Sequence, residues 1–235
     1  MTRSLLRGIA AAPRAADPRV VRRTAALAVL LACSLLVAAT ALAGPPRLER
    51  KQLRAADVAL AKRVTVRRSD LPVGWSARPS SPRPGQLPQC PGADLDFSAF
   101  TITGQAGSAF TRGQSTVQSF VEIFKSRRDA VGDYRKATAP KVRACLGPEL
   151  ERQARQQGLD LRVDSLRLAA RPRIGERAFA VRAVMSVTAA AGRLRLYMDV
   201  IGVQRGRSAA VLYFLGPSPV AGRLAVARSV AARMR

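Results

Sequence analysis

From Ala25 to Ala43 the chain carries no charged side chain for 19 residues, and the 23 residues ahead of the run hold six arginines (Arg3, Arg7, Arg14, Arg19, Arg22, Arg23) against one acid, Asp17. Wound as a helix at about 1.5 Å per residue, such a run is roughly 28 Å long, just enough to cross the hydrocarbon of a bilayer. Basic flanks stay in the cytoplasm, so the order predicts residues 1–23 as a basic cytoplasmic N-terminus and the rest of the chain outside. Residues 24–43 have three readings. They are a retained single-pass transmembrane anchor, or a signal peptide cleaved after the small-residue triplet Ala41-Leu42-Ala43, so that a secreted chain begins at Gly44. In the third, Leu30-Leu31-Ala32-Cys33 is a lipid-attachment box, although ten uncharged, mostly apolar residues follow the cysteine where a lipoprotein would turn polar.

The exported part has to fold with an unusual charge. The whole chain has 40 Lys plus Arg, 15 Asp plus Glu and no histidine, and only five of the basic residues are lysines (Lys51, Lys62, Lys125, Lys136, Lys141). Arginine binds carboxylate and phosphate through a planar fork, so acidic partners are favoured. The absence of histidine excludes Ser-His-Asp and Cys-His arrangements, His-ligated zinc and an imidazole proton shuttle. An apolar content of 48% is enough for a core.

After Gly44 a proline pair opens a basic, alanine-rich helical pattern, read as a stalk or linker helix over 44–64, ahead of a domain over 65–235. The loop SDLPVGWSARPSSPRPGQLPQC (69–90) is dense in proline, glycine and serine and holds the one tryptophan. Pro72 presets a turn, Gly74 relaxes it, and Trp75 swings back as an anchor in the base of the fold. Two strands follow around Arg112-Gly113, the second placing Val117, Ser119, Val121 and Ile123 on one face. Residues 125–158 are helical in character, broken near Pro140 and ended by Gly158. Four strands come next, over Asp160–Ala169, Arg177–Thr188, Arg193–Val203 and Ser208–Leu215, with turns short enough for hairpins, and a helix over about 220–234 closes the chain. The expected fold class is α+β, a central antiparallel sheet of about six strands flanked by helices.

Cys90 and Cys145 are the two cysteines of the exported part. An even count in an oxidising compartment makes a disulfide the default, with two free thiols or a redox pair as the alternative. Three pairs of carboxylates are spaced closely enough to ask about catalysis: Asp94 with Asp96, Asp129 with Asp133, and Asp160 with Asp164. Asp129 and Asp133 stand beside Arg127, Arg128, Arg135 and Lys136, which predicts solvated surface pairing. We expect no catalytic, cofactor-binding or metal-binding residue. The arginines are spread along the chain, and with few aromatics and no recognition motif, nucleic acid is not an expected partner.

Asp70-Leu71-Pro72-Val73-Gly74-Trp75, Cys90, the run SAFTITGQAGSAF with Thr103, Gly104, Ala106 and Ser108, the strand VQSFVEIF, Ala130, Cys145-Leu146 and the hairpin VQRGRSAAVLYF occur in this order. Together, over about residues 55–235, they resemble the extracytoplasmic sensor-type domain of actinobacteria, which stands alone behind a membrane anchor or is joined to PknH-type Ser/Thr protein kinases. The resemblance implies a PsbP-like sandwich, a cleft for a ligand, a Cys90–Cys145 bond and no catalysis. Kinase-linked members have two disulfides, whereas one pair is available here, and the chain has no Gly-rich phosphate loop, His-Arg-Asp or Asp-Phe-Gly of a kinase. The expected function is that of a sensor-like binding domain of the cell envelope. Its partner would be a small or polymeric ligand, an anionic envelope component included, and the alternative is a carrier of a lipid or other apolar ligand.

Overall fold

The structure is a computed structural model that describes residues 48–80, 90, 92–169, 171–189 and 192–234. The uncharged run, Cys33 and the expected cleavage point lie outside these residues, and no helix among the described residues is long and apolar enough to cross a membrane.

Each long strand is built by alternation. β3 (Thr101–Arg112) and β4 (Ser115–Phe124) form a hairpin whose turn has Gly113 at φ +55°, a left-handed value that glycine adopts without strain. β5 (Asp160–Leu168), β6 (Arg177–Ala189), β7 (Gly192–Arg205) and β8 (Ser208–Gly216) run antiparallel, and β8 returns to pair with β4 rather than with an edge. Two short strands complete one edge: β1 (Arg50–Lys51), parallel to β3, and β2 (Ser76–Arg78), antiparallel to it. The sheet therefore has eight strands in the order β1-β3-β4-β8-β7-β6-β5, with β2 also on β3. The six long strands are those expected from the alternation.

Helices cover both faces. α1 (Ala55–Val64) and α4 (Arg223–Arg233) lie on the first face, where Ala61, Val64, Ala227 and Val230 pack fully buried against Val117, Ile123, Leu212 and Phe214. On the second face, α2 (Arg127–Ala137) sets Ala130 against Ile102 and Phe124, and α3 (Pro140–Gln156) sets Ala154 against Leu161, Met185, Val187 and Leu196.

One expectation is corrected. In its described part the segment 44–64 is no stalk: Arg50 and Lys51 join the sheet, and α1 begins at Ala55 and is buried along one side. Gly104 makes this possible, because a Cβ there would collide with the backbone of Asp57, so only glycine lets α1 lie this close to β3. An alanine-rich helix reads the same whether it spans water or lies flat on a sheet, since small side chains suit close packing.

Candidate functional site

The residues singled out in the sequence occupy three places. Trp75 is buried with 4% of its surface exposed, inside the first-face core, and the Arg112 guanidinium carbon stands 5.4 Å from the ring centroid. Gly74 turns the chain at φ +97°, and Pro72 lies on the exposed rim, its carbonyl accepting from Arg68 Nη1 at 2.9 Å. The indole is thus enclosed by core and guanidinium. Cys90 and Cys145 are joined as a disulfide with their Cα atoms 5.6 Å apart, tying the segment after the proline-rich loop to α3.

The run from Thr103 to Ser108 is a polar seam. Ser119 Oγ accepts from the Val66 N–H at 3.0 Å, and Ser108 Oγ donates to the Val66 carbonyl at 2.8 Å. The two hydroxyls meet each other at 2.8 Å, and Thr103 Oγ1 donates to the Ile123 carbonyl at 3.2 Å. These bonds satisfy backbone groups where the chain leaves α1 and crosses the sheet.

The carboxylate pairs do not assemble a catalytic couple. Asp94 takes Lys136 Nζ at 2.7 Å, and Asp96 accepts from Ser98. Asp164 takes the Ser186 hydroxyl at 2.5 Å and Arg193 at 3.3 Å. Asp129 accepts from the Thr101 N–H at 3.2 Å and the Ser126 hydroxyl at 2.7 Å, locking the start of α2 onto β3. Here the expected surface pairing is overturned: neither Asp129 nor Asp133 meets the arginines beside it in sequence. Helical geometry is the reason, since Ala130 and Asp133 face the sheet while Arg127, Arg128, Val131 and Arg135 face away.

Asp133 instead reaches a part of the second face that the helices leave half covered. There β4 and β8 place Gln118 opposite Tyr213, Phe120 opposite Val211, and Glu122 opposite Ala209, all half-buried, with Phe120 and Tyr213 edge to face at 5.9 Å. Burial, with the charges of Asp133 and Glu49 adding, pushes Glu122 up to about 8 against the pull of Lys51. Burial and Glu49 push Asp133 up to about 7. The Tyr213 hydroxyl is also raised, by burial and by Glu122. Among the described residues neither Glu122 nor Asp133 has an ion-pair or hydrogen-bond partner. The face combines an apolar floor with two acids that change charge near neutrality, and neither was legible as such in the sequence. The signal was weak: Glu122 reads as the polar half of an alternating strand.

The outer side of α2 forms the other recess. Phe100, Arg127, Arg128, Val131, Gly132, Arg135 and Arg177 line an open depression of about 470 Å³. Arg127 is held by Glu176 at 2.9 Å and Arg177 by Gln204 Oε1 at 3.1 Å, whereas Arg128 and Arg135 are exposed and have no acid partner among the described residues. No group of acids and cysteines among the described residues could hold a metal ion.

The structure is a disulfide-clasped α+β domain with an arginine-lined depression beside α2 and a half-buried stretch of the second face that carries Glu122 and Asp133. No protein-family model matches the chain, and no curated protein sequence does. Among solved structures, the extracellular domain of PknH from Mycobacterium tuberculosis aligns over 78% of this chain and 97% of its own, at 11% identity and a TM-score of 0.48. An uncharacterized protein (Rv0999 ortholog) from Mycobacterium smegmatis aligns over 76% and 96%, at 9% identity and a TM-score of 0.39. At these scores the likeness carries no argument for function, which rests on the chain's own surfaces.

Proposed function

We propose that the protein is a non-enzymatic binding domain of the cell envelope, held outside the cytoplasm behind residues 24–43 and acting as a sensor or accessory module. The observation that carries this reading is the half-covered second face, where an aromatic floor meets two unpartnered carboxylates. Such a surface gains from an occupant that covers its apolar part and hydrogen-bonds its acids. The extracytoplasmic setting is supported by the disulfide, which persists in oxidising compartments, and by the arginines ahead of the uncharged run. Catalysis is not part of the reading, because the chain lacks histidine and most of its paired carboxylates are held by structural partners.

A second reading, a carrier of a lipid or other apolar ligand, is favoured by one feature of the same face: Phe120, Val200, Val211 and Leu215 remain half-buried rather than sealed. Intact mass spectrometry of protein extracted from its host separates the two. Extra mass present under native conditions and lost on denaturation would make the protein a loaded carrier. An empty chain two hydrogens short of the reduced mass is the outcome expected of a sensor that binds reversibly.

A further inference from the structure

We propose that the arginine-lined depression on the outer side of α2 is a docking site for the phosphate groups of anionic membrane lipids, which lays the domain against the bilayer. The proposal rests on the reading above of a domain tethered behind residues 24–43.

Three observations carry it. The first is charge. Four guanidinium groups surround the depression, and Arg128 and Arg135, two helical turns apart on one side of α2, project from it without an acid partner among the described residues. The acids of α2 are turned elsewhere, Asp129 into the backbone of β3 and Asp133 toward the sheet. A planar fork with free donors is suited to phosphate oxygens.

The second is shape. Phe100 and Val131 give the depression an apolar base, and Gly132 is pressed so closely on the Phe100 ring that a Cβ would stand 2.6 Å from it. Any larger residue would push the ring out into the space. A site with an apolar base and a cationic rim matches the boundary between acyl chains and headgroups.

The third is position. Phe100 is also where the chain enters the domain: the Arg50 N–H donates to the Phe100 carbonyl at 2.9 Å, and Arg50 pairs with Thr101 in the sheet. Six residues lie between the end of the uncharged run at Ala43 and Arg50, a reach of at most about 25 Å when extended. A tether that short keeps this edge, and the arginines beside it, at the membrane surface, where each well-placed arginine strengthens attraction to anionic lipid.

The test uses the full chain in nanodiscs of phosphatidylcholine alone or phosphatidylcholine with phosphatidylglycerol, with amide hydrogen exchange followed over residues 127–139. Exchange is expected to slow in the anionic discs. The Arg128→Gln, Arg135→Gln double variant should weaken the docking equilibrium about thirty-fold. Both side chains are exposed, so its melting temperature should match the parent, and about 0.5 M salt should release the parent domain as an independent check. Equal exchange in the two discs, with the chain still disc-bound, overturns docking and leaves the tethered-domain reading standing. A chain that fails to stay with discs of either kind overturns both. If soluble glycerol phosphate slows exchange in phosphatidylcholine discs as strongly as phosphatidylglycerol does, the depression takes free anions and the lipid assignment falls.

Discussion

The two faces of the sheet differ in how fully their acids are met. On the first face every buried carboxylate is met by arginine. Asp57 is gripped by both Arg207 nitrogens, Asp199 lies between Arg182 at 2.8 Å and Arg223 at 3.2 Å, and Asp70 takes Arg233 at 2.7 Å. The Arg207 hydrogen bonds hold the Asp57 carboxyl below its ordinary value. On the second face Glu149 of α3 is paired too, with Arg152 at 2.6 Å, but Glu122 and Asp133 have no such partner among the described residues, and both are raised. In a chain with more than twice as many basic as acidic residues, cations are not scarce. The first face shows what full neutralisation looks like here, which makes the second face read as a surface kept for something other than stability.

The largest way to test this division is to cut the covalent tie that holds α3, the cover of the second face. Cys90→Ser removes a cross-link closing a 55-residue loop, worth about 4 kcal/mol from loop-closure entropy. A drop in melting temperature of roughly 10 °C is expected in a thermal scan. An unchanged melt, with Cys145 alkylatable in the parent protein, would show that the bond does not form.

A smaller effect tests the first face. Asp57→Ala leaves Arg207 half-exposed without its partner, next to Thr103 and the Phe124 carbonyl. Removing one member of a largely buried pair costs about 3 kcal/mol, discounted here toward 2 because Arg207 retains access to water. Urea unfolding measures it. A cost near zero would mean that the pairing of the first face contributes little, and the contrast between the faces would lose its meaning.

What the sequence made legible follows the range of the interactions. Strict alternation marked the six long strands, and proline and glycine bounded the two helices of the insert, because those signals are local. β1 escaped: two residues long, it is a strand only because β3 offers an edge. α1 was legible as a helix but not as part of the core, since its burial depends on Gly104 across the sheet and its Asp57 on Arg207, 150 residues away. The anchor Trp75 was placed from its turn alone, whereas its cation, Arg112, was not. The half-covered face was least legible. Glu49, Glu122 and Asp133 come from three separate segments, and nothing in their spacing announces that they converge.

The last prediction turns on that convergence. Burial raises the proton affinity of Glu122, Asp133 of α2 and Glu49 of the strand-entry segment add to it, and Lys51 of β1 opposes it, while Glu122 in turn raises Tyr213 of β8. Its folded value, about 8, lies above the ordinary 4.5, so between those limits the folded protein holds a proton that the unfolded chain has released. Stability must then fall as pH rises from about 4.5 to about 8, and Asp133, raised to about 7, adds to the slope over the lower part of that window. Glu122→Gln keeps the shape and removes the charge, so it should flatten the slope and make the protein more stable at pH 8 by on the order of 2 kcal/mol, with no gain at pH 4. Thermal melts of parent and variant across this range measure it. A gain that is the same at both pH values would assign Glu122 a packing role. A loss at pH 8 would mean that its carboxylate is already satisfied, and the second face would then resemble the first.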